Sequence, residues 1–317
     1  MNTHSLQAGL VIASHGRHVW VETPDGRRLI CHPRGKKNAC VVGDQVLWQA
    51  SEDEGSIEQL VPRRNLFYRQ DEIRTKSFAA NIDQVVILLG AEPEYSESQL
   101  ARALIAAEAE HIPALVILNK RDLTEPFERA WARLAPIRAM GYMVLPMSLK
   151  PCDQALPLGT GTRGEPQDLR QLAGLLQGKT SLVLGPSGAG KSTLINRLVP
   201  EANAATNAIS QALNSGKHTT TSTRLYWTGT DRTTAVIDSP GFQEFGLHQI
   251  DAARLASLMP DIRSHASECR FYNCTHIHEP GCGVRAVLEA GPEEGGIHPN
   301  RYRIYTELFA ELSQSRY

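Results

Sequence analysis

Cysteine is sparse in this chain of 317 residues, with six in all: Cys31, Cys40, Cys152, Cys269, Cys274 and Cys282. Three are scattered and three fall within fourteen residues, which excludes the disulfide framework of a small secreted domain. Long apolar runs are also missing. Stretches such as Val85-Val86-Ile87-Leu88-Leu89 fall far short of the roughly 18 residues of a membrane span. The opening MNTHSLQAGL has no charged n-region ahead of a long apolar stretch, so no signal peptide is expected. Nor is there an excess of either charge sign. The 33 Lys+Arg against 34 Asp+Glu leave a net of -1, which excludes a general cationic coat for nucleic acid and leaves a local contact surface open. With 41% hydrophobic and 21% charged residues, disordered and collagen-like chains are excluded too. A protein of the reducing cytoplasm, unattached to membrane and monomeric, is the expectation.

At about 150 residues per domain the length suggests two domains, with three small ones also accommodated. The first seventy or so residues read as short β segments: 9–13, 17–22, 28–31 and 44–48. Pro24-Asp25-Gly26 and Val42-Gly43-Asp44 supply turns between them. This pattern fits a small closed barrel, OB-type or SH3-like. From about residue 80, strands alternate with helices, which argues for a parallel α/β sheet: strand 83–89, helix 97–111, strand 114–118, helix 128–140, strand 142–145. A Gly/Pro/Thr-rich loop at 151–166 follows, then strands 181–184 and 234–237, and a final helix is expected at 301–312.

Gly185-Pro186-Ser187-Gly188-Ala189-Gly190-Lys191-Ser192 matches G-x-x-x-x-G-K-[ST] between an apolar strand and a helical segment opened by Thr193. Such a loop wraps phosphate with backbone N–H groups at a helix N-terminus. Lys191 neutralises the β/γ-phosphates, and Ser192 ligates Mg²⁺. Asn119-Lys120-Arg121-Asp122 follows an apolar strand. There the Asp122 carboxylate can accept from N1–H and the N2 amine of guanine, a pair that adenine does not offer. Asn119 ties the loop down and the Lys120 stem lies on the ring. Asp238-Ser239-Pro240-Gly241 ends another strand: Asp238 holds Mg²⁺ through water and the Gly241 N–H reaches a γ-phosphate. Between them, one of Thr219, Thr220 and Thr221 closes on Mg²⁺ when the γ-phosphate is present, with Thr220 carried forward. Cys269, Cys274, His276 and Cys282 form C-x₄-C-x-H-x₅-C, a closed tetrahedral Zn²⁺ set, with His278 a near rival to His276 and His265 a distant one.

The order of these motifs is unusual. N-K-x-D precedes the phosphate loop and D-x-x-G comes last, whereas in Ras-like GTPases the phosphate loop comes first. A site is a spatial arrangement, so permuting the chain leaves it intact. Motif order, barrel and Cys/His cluster together resemble the ribosome small subunit-dependent GTPase family, and the resemblance covers nearly the whole chain. It implies an OB-like β-barrel at 1–72, a circularly permuted GTPase domain at 73–245 and a zinc-binding helical domain at 246–317. It selects His276 as the fourth zinc ligand. Ser148-Leu149 stands where the family usually has Ser-Ala against the guanine oxygen, which makes Ser148 a nucleotide contact. A Gln that orients water follows D-x-x-G in Ras-like enzymes; here Phe242 stands in that position, and His218 becomes the candidate catalytic residue.

Five cations (Arg27, Arg28, Arg34, Lys36, Lys37) occur between residues 27 and 37 without an acid, and Arg63-Arg64 precede Phe67, Tyr68 and Arg69. Both are candidate RNA contacts. The resemblance favours 16S rRNA of the 30S subunit as partner beside GTP/GDP, with hydrolysis coupled to a late maturation step. The alternative is a slow-hydrolysing, GTP-switched module that binds rRNA or protein. An ATP-dependent kinase on the same phosphate loop is a further rival, disfavoured by Asp122.

Overall fold

The computed structural model describes residues 6–15, 18–34, 40–50, 54–71, 75–150, 167–199, 202, 222–240, 242, 245–290 and 296–314. Alternation of buried and exposed positions closes the first five strands on themselves: β1 (Gln7–His15), β2 (His18–Glu22), β3 (Arg28–Pro33), β4 (Gln45–Ala50) and β5 (Gly55–Leu60). They pair in the ring β1-β2-β3-β5-β4 and back to β1, with only β3–β5 parallel. That order makes the barrel OB-type rather than SH3-like. Val11, Val19, Val21, Cys31, Val46, Trp48 and Ile57 fill its interior. β5 is the strand that the sequence pattern hides, because Ser56, Glu58 and Gln59 dilute it. Its inward positions are Gly55 and Ile57, and a Cβ on Gly55 would lie 2.4 Å from the Cys31 Sγ.

A hairpin of β6 (Leu66–Gln70) and β7 (Thr75–Ala80) leads into the second sheet, whose order is β10-β9-β8-β11-β13-β12. Here β8 is Gln84–Gly90, β9 Ala114–Asn119, β10 Met143–Pro146, β11 Thr180–Leu184, β12 Arg224–Trp227 and β13 Ala235–Asp238. All are parallel except β12, which runs antiparallel to β13 and touches β1 of the barrel at Ala13↔Arg224. Helices cover both faces, so all seven residues of β8 are buried. Val85, Ile87 and Leu89 enter one core layer, and Val86 and Leu88 the other.

Helix α1 (Glu97–Ala109) is capped by Ser96, whose hydroxyl accepts from the Gln99 N–H. The helix expected at 128–140 is two: α2 (Thr124–Arg133) and α3 (Ala135–Ala139). Pro136 explains the break, since it has no N–H to donate to the preceding turn and its ring crowds that carbonyl. After α4 (Gln167–Leu176) and α5 (Lys191–Leu198) come α6 (Ala252–Leu255), α7 (Pro260–Ala266), α8 (Gly283–Ala290) and the long α9 (Pro299–Ser313). Ile304, Tyr305 and Leu308 of α9 share one core with Leu100 of α1 and with Phe245.

The junction is stitched by amides. Asn65 donates to the Ile82 carbonyl and accepts from its N–H, while Asn81 donates to the Gly43 carbonyl and accepts from the Arg64 N–H. Asp83 accepts from the Thr180 N–H and pairs with Arg64. Beside this seam, Phe67, Phe78 and Phe245 form a triad with ring centroids 5.8–5.9 Å apart. Phe78 is fully buried and stacks on Phe245, so Phe78→Ala is expected to lower stability by about 3–5 kcal/mol in denaturant titration.

Candidate functional site

Because β9, β11 and β13 are parallel, their carboxyl ends lie on one edge of the sheet. Asn119 ends β9, the phosphate loop follows Leu184 of β11, and Asp238 ends β13. Motifs about 120 residues apart in the chain are thereby brought to the place where open α/β sheets bind ligands.

Asn119 is the connecting piece. Its buried side chain donates to the Ala189 carbonyl of the phosphate loop at 2.9 Å and accepts from the Leu149 N–H at 3.0 Å. Gly190 packs against it: the backbone there has φ +102, and a Cβ would lie 2.5 Å from Asn119 Nδ2. Gly188 is also left-handed, at φ +81, so both glycines are required by conformation. Gly190 caps α5, which begins at Lys191 and places the exposed Ser192 and Thr193 in its first turn. Gly185 and Ala189 are buried, and Ser187 and Gly188 are exposed with Pro186 between them and the strand. The Lys191 ammonium donates to Asp238 Oδ1 at 2.7 Å, with both side chains largely buried. This pair joins the phosphate loop to D-x-x-G.

On the base side, Lys120 has φ +71 and its ammonium donates to the Glu92 carbonyl. Arg121 and Asp122 are exposed. The Ser148 hydroxyl donates to Asp122 Oδ1 at 3.0 Å, and Lys150 approaches Oδ2 at 3.6 Å. The Leu149 N–H, the donor implied for a guanine oxygen, is engaged by Asn119, and the Leu149 side chain is buried near Gly190. His218, Thr219, Thr220, Thr221, Gly241 and the 151–166 loop lie outside the described residues.

D-x-x-G and the segment after it are held from two sides by residues to which the sequence reading assigned no contact. Lys76 on β7 donates to the Pro240 carbonyl at 2.9 Å, and Arg102 on α1 donates to the Phe245 carbonyl while pairing with Glu311 of α9. Gln70 bonds Gln249 and His248. Contacts across such sequence separations leave no local signal. Phe242 is 3% exposed and packs near Phe245, so its ring faces the core.

The Cys269, Cys274, His276 and Cys282 side chains converge, with their ligand atoms within 4.8 Å of one another. His276 Nδ1 lies 3.4 Å from Cys269 Sγ and 3.5 Å from Cys282 Sγ, and the two sulfurs are 3.9 Å apart. A tetrahedral ion with thiolate and imidazole ligands separates them by about 3.5–3.8 Å, so the set fits a closed metal site. His278 is exposed and His265 lies elsewhere, on α7. Burial pushes the Cys274 thiol up to about 12 and lowers His276, the condition in which a cation is needed to hold thiolates. Tyr302 and Tyr305 of α9 donate to the His276 and Thr275 carbonyls, each at 2.7 Å, which anchors the ligand loop to that helix.

The basic stretches divide. Arg63 makes a two-pronged pair with fully buried Asp44, Arg64 pairs with Asp83, and Phe67 is buried, so this stretch serves the junction. That use replaces the RNA-contact expectation for Arg63 and Phe67, whereas Arg64 keeps 59% exposure despite its pair. On the barrel, Arg27, Arg28 and Arg34 pair with Asp25, Glu22 and Glu58 but keep 55–72% exposure, and such surface pairs are weak.

The fold and site define a circularly permuted P-loop GTPase. A family model described as RsgA GTPase matches residues 60–248. The small ribosomal subunit biogenesis GTPase RsgA of Variovorax paradoxus is 68% identical, covering 98% of this chain and 94% of its own; that of Burkholderia pseudomallei is 50% identical, covering 96% and 92%. The crystal structure of YjeQ from Thermotoga maritima superposes with TM-score 0.70 at 28% identity, covering 98% of this chain and 100% of that one. YloQ, described as a circularly permuted GTPase, gives 0.69 at 27%, covering 100% and 99%. The chain belongs to the RsgA GTPase family, and it is a GTP hydrolase.

Metal removal follows from the cluster. A strong chelator is expected to release one metal equivalent and loosen α7–α9, read by limited proteolysis, while guanine-nucleotide affinity changes by less than about threefold.

Proposed function

We propose that this GTPase binds the small (30S) ribosomal subunit through 16S rRNA and couples GTP hydrolysis to a late step of its maturation. The observation that carries this reading is the three-motif edge joined by Asn119 and by the Lys191–Asp238 pair, and the names of near-full-length relatives support the ribosomal assignment. The working units are a barrel at 1–72, the GTPase domain at 73–245 and a zinc-binding unit at 246–317, acting as a monomer in the cytoplasm. No helix among the described residues is long and apolar enough to cross a membrane.

In this reading the loop Gly185–Ser192, with Thr193, cradles the phosphates, while Lys191 leaves the Asp238 carboxylate to bridge the β/γ oxygens. Mg²⁺ accompanies GTP, held by Ser192, Thr220 and Asp238, and supplies charge neutralisation at the phosphates. Asp122 reads the guanine edge, with Ser148 orienting its carboxylate and Lys120 lying along the ring. Gly241 senses the γ-phosphate. The cluster Cys269, Cys274, His276 and Cys282 holds Zn²⁺ as a structural staple, since four protein ligands leave no position for water. Exposed Arg27, Arg28 and Arg34 of the barrel provide a backbone-phosphate contact, and Lys36 and Lys37, which lie outside the described residues, add to its charge.

Phe242 faces the core and offers no hydrogen bond to water, which makes intrinsic hydrolysis slow. This observation favours the second reading, a GTP-switched binding module, in the free protein. His218 then positions the attacking water once the subunit is bound. Expected for His218→Ala is a loss of about 100-fold or more in subunit-stimulated turnover, with GTP affinity within about twofold; unchanged turnover refutes the role. Asp122→Asn removes the acceptor for guanine and presents a donor. GTP affinity should fall by about 10–100-fold, and xanthosine triphosphate should bind better than to the parent in competition assays. Co-sedimentation with 30S subunits should be stronger with a non-hydrolysable GTP analogue than with GDP; equal pelleting in both states contradicts the switch.

A further inference from the structure

We infer that the OB-type barrel carries a second metal site, made by His18, His32 and Glu54 and suited to a first-row divalent cation such as Co²⁺, Ni²⁺ or Zn²⁺. The three are far apart in the chain and meet only when the barrel closes. His18 opens β2 and His32 lies near the end of β3, and because Val19 pairs with Cys31, the two histidines are directly opposite on adjacent antiparallel strands. Opposed residues project from the same face, about 4.5–5.5 Å apart at Cβ. Their imidazole rings meet edge to face with centroids 4.5 Å apart. Glu54 immediately precedes β5, which pairs with β3 from Cys31↔Gly55 onward, so its carboxylate arrives at the same rim and contacts His32 Nε2.

The ligand atoms of all three lie within 4.8 Å of one another. Two ligands of one ion stand about 2.9–4.2 Å apart, so an ion entering here must part the His32 and Glu54 atoms that now touch, by about an ångström, and draw the more distant atoms in. Side-chain exposures of 41% for His32 and 38% for Glu54 leave room for that movement. The donor set is two imidazoles and one carboxylate. Cys31, the neighbour in sequence, faces the barrel interior and stays out of it. Borderline N/O donors favour late first-row ions over Mg²⁺ or Ca²⁺, and three protein ligands leave coordination positions open to solvent, unlike the closed cysteine site.

The location gives the ion a mechanical consequence. The β3–β5 closure has three register pairs, the fewest of any contact in the barrel ring, and it is the only parallel one. An ion held by β2, β3 and the residue leading into β5 would clasp the ring at that short seam. Binding to the closed barrel alone then raises barrel stability with metal concentration. Neither GTP nor the ribosome enters the argument, so this site stands or falls separately from the proposed function.

The test uses the full chain without a histidine tag, its cysteine site already filled as judged by metal analysis, titrated with Co²⁺ by calorimetry and visible absorption. The expected result is one further equivalent, with weak d–d bands of nitrogen/oxygen ligation, no new thiolate charge-transfer band and a thermal midpoint that rises with Co²⁺. In His18→Asn, His32→Asn and Glu54→Gln, each at the exposed rim, affinity for that equivalent should fall by about tenfold or more, while GTP binding is unchanged. Should a variant fail to fold, the spectrum and stoichiometry of the parent chain decide alone. Binding of no further equivalent, a thiolate spectrum for it, or variants that titrate like the parent would overturn the assignment.

Discussion

Two hydrogen bonds of the Asn119 side chain hold the nucleotide site together, and much else in the molecule is arranged so that they form. One amide, buried at the end of β9, links the phosphate loop at Ala189 to the loop carrying Ser148 and Leu149. An unsatisfied buried amide costs about 1–3 kcal/mol, so the two loops are coupled: moving one orphans the donor or acceptor facing the other. Gly190 is glycine both because its backbone is left-handed and because a side chain would strike this amide. The parallel sheet supplies the rest by delivering β9, β11 and β13 to the same edge. Permutation is tolerated because the coupling runs through space between Asn119 and Ala189, residues whose order in the chain has no bearing on it.

A second coupling extends this site outward. The segment after Asp238 is held by Lys76 from the hairpin, by Arg102 from α1 and by the Phe67–Phe78–Phe245 triad. The hairpin follows the barrel, and Arg102 also pairs with Glu311 of the helix that anchors the cysteine ligand loop. The hairpin that follows the barrel, the GTPase sheet and the C-terminal helices therefore meet at the chain that follows D-x-x-G. This segment has half-buried polar partners and a buried aromatic triad packed against it, so a shift in it would be transmitted to both flanks.

Much of this was legible in the sequence because the informative residues have local reasons to be what they are. Gly188 and Gly190 answer to backbone conformation, and the apolar run of β8 to burial on both faces. Cys269, Cys274, His276 and Cys282 fall within fourteen residues and converge as a set that could hold one ion. What escaped has non-local causes. β5 reads poorly because two of its inward positions are satisfied by Gly55 and Ile57 alone. The expected helix at 128–140 is split by Pro136, whose effect depends on whether the chain bends there. Arg63, read as an RNA contact, turns inward to Asp44, a partner nineteen residues away. Lys76, Arg102 and the His18–His32–Glu54 group exist as features only once the strands have paired.

The central claim is that the free protein hydrolyses GTP slowly, with Phe242 turned into the core, and that the small ribosomal subunit completes the catalytic arrangement. Single-turnover GTP hydrolysis measured against increasing 30S subunits tests it most directly. The account predicts a slow basal rate that rises saturably with subunit concentration. A rate that is already fast without subunits, or that stays flat as they are added, would contradict it.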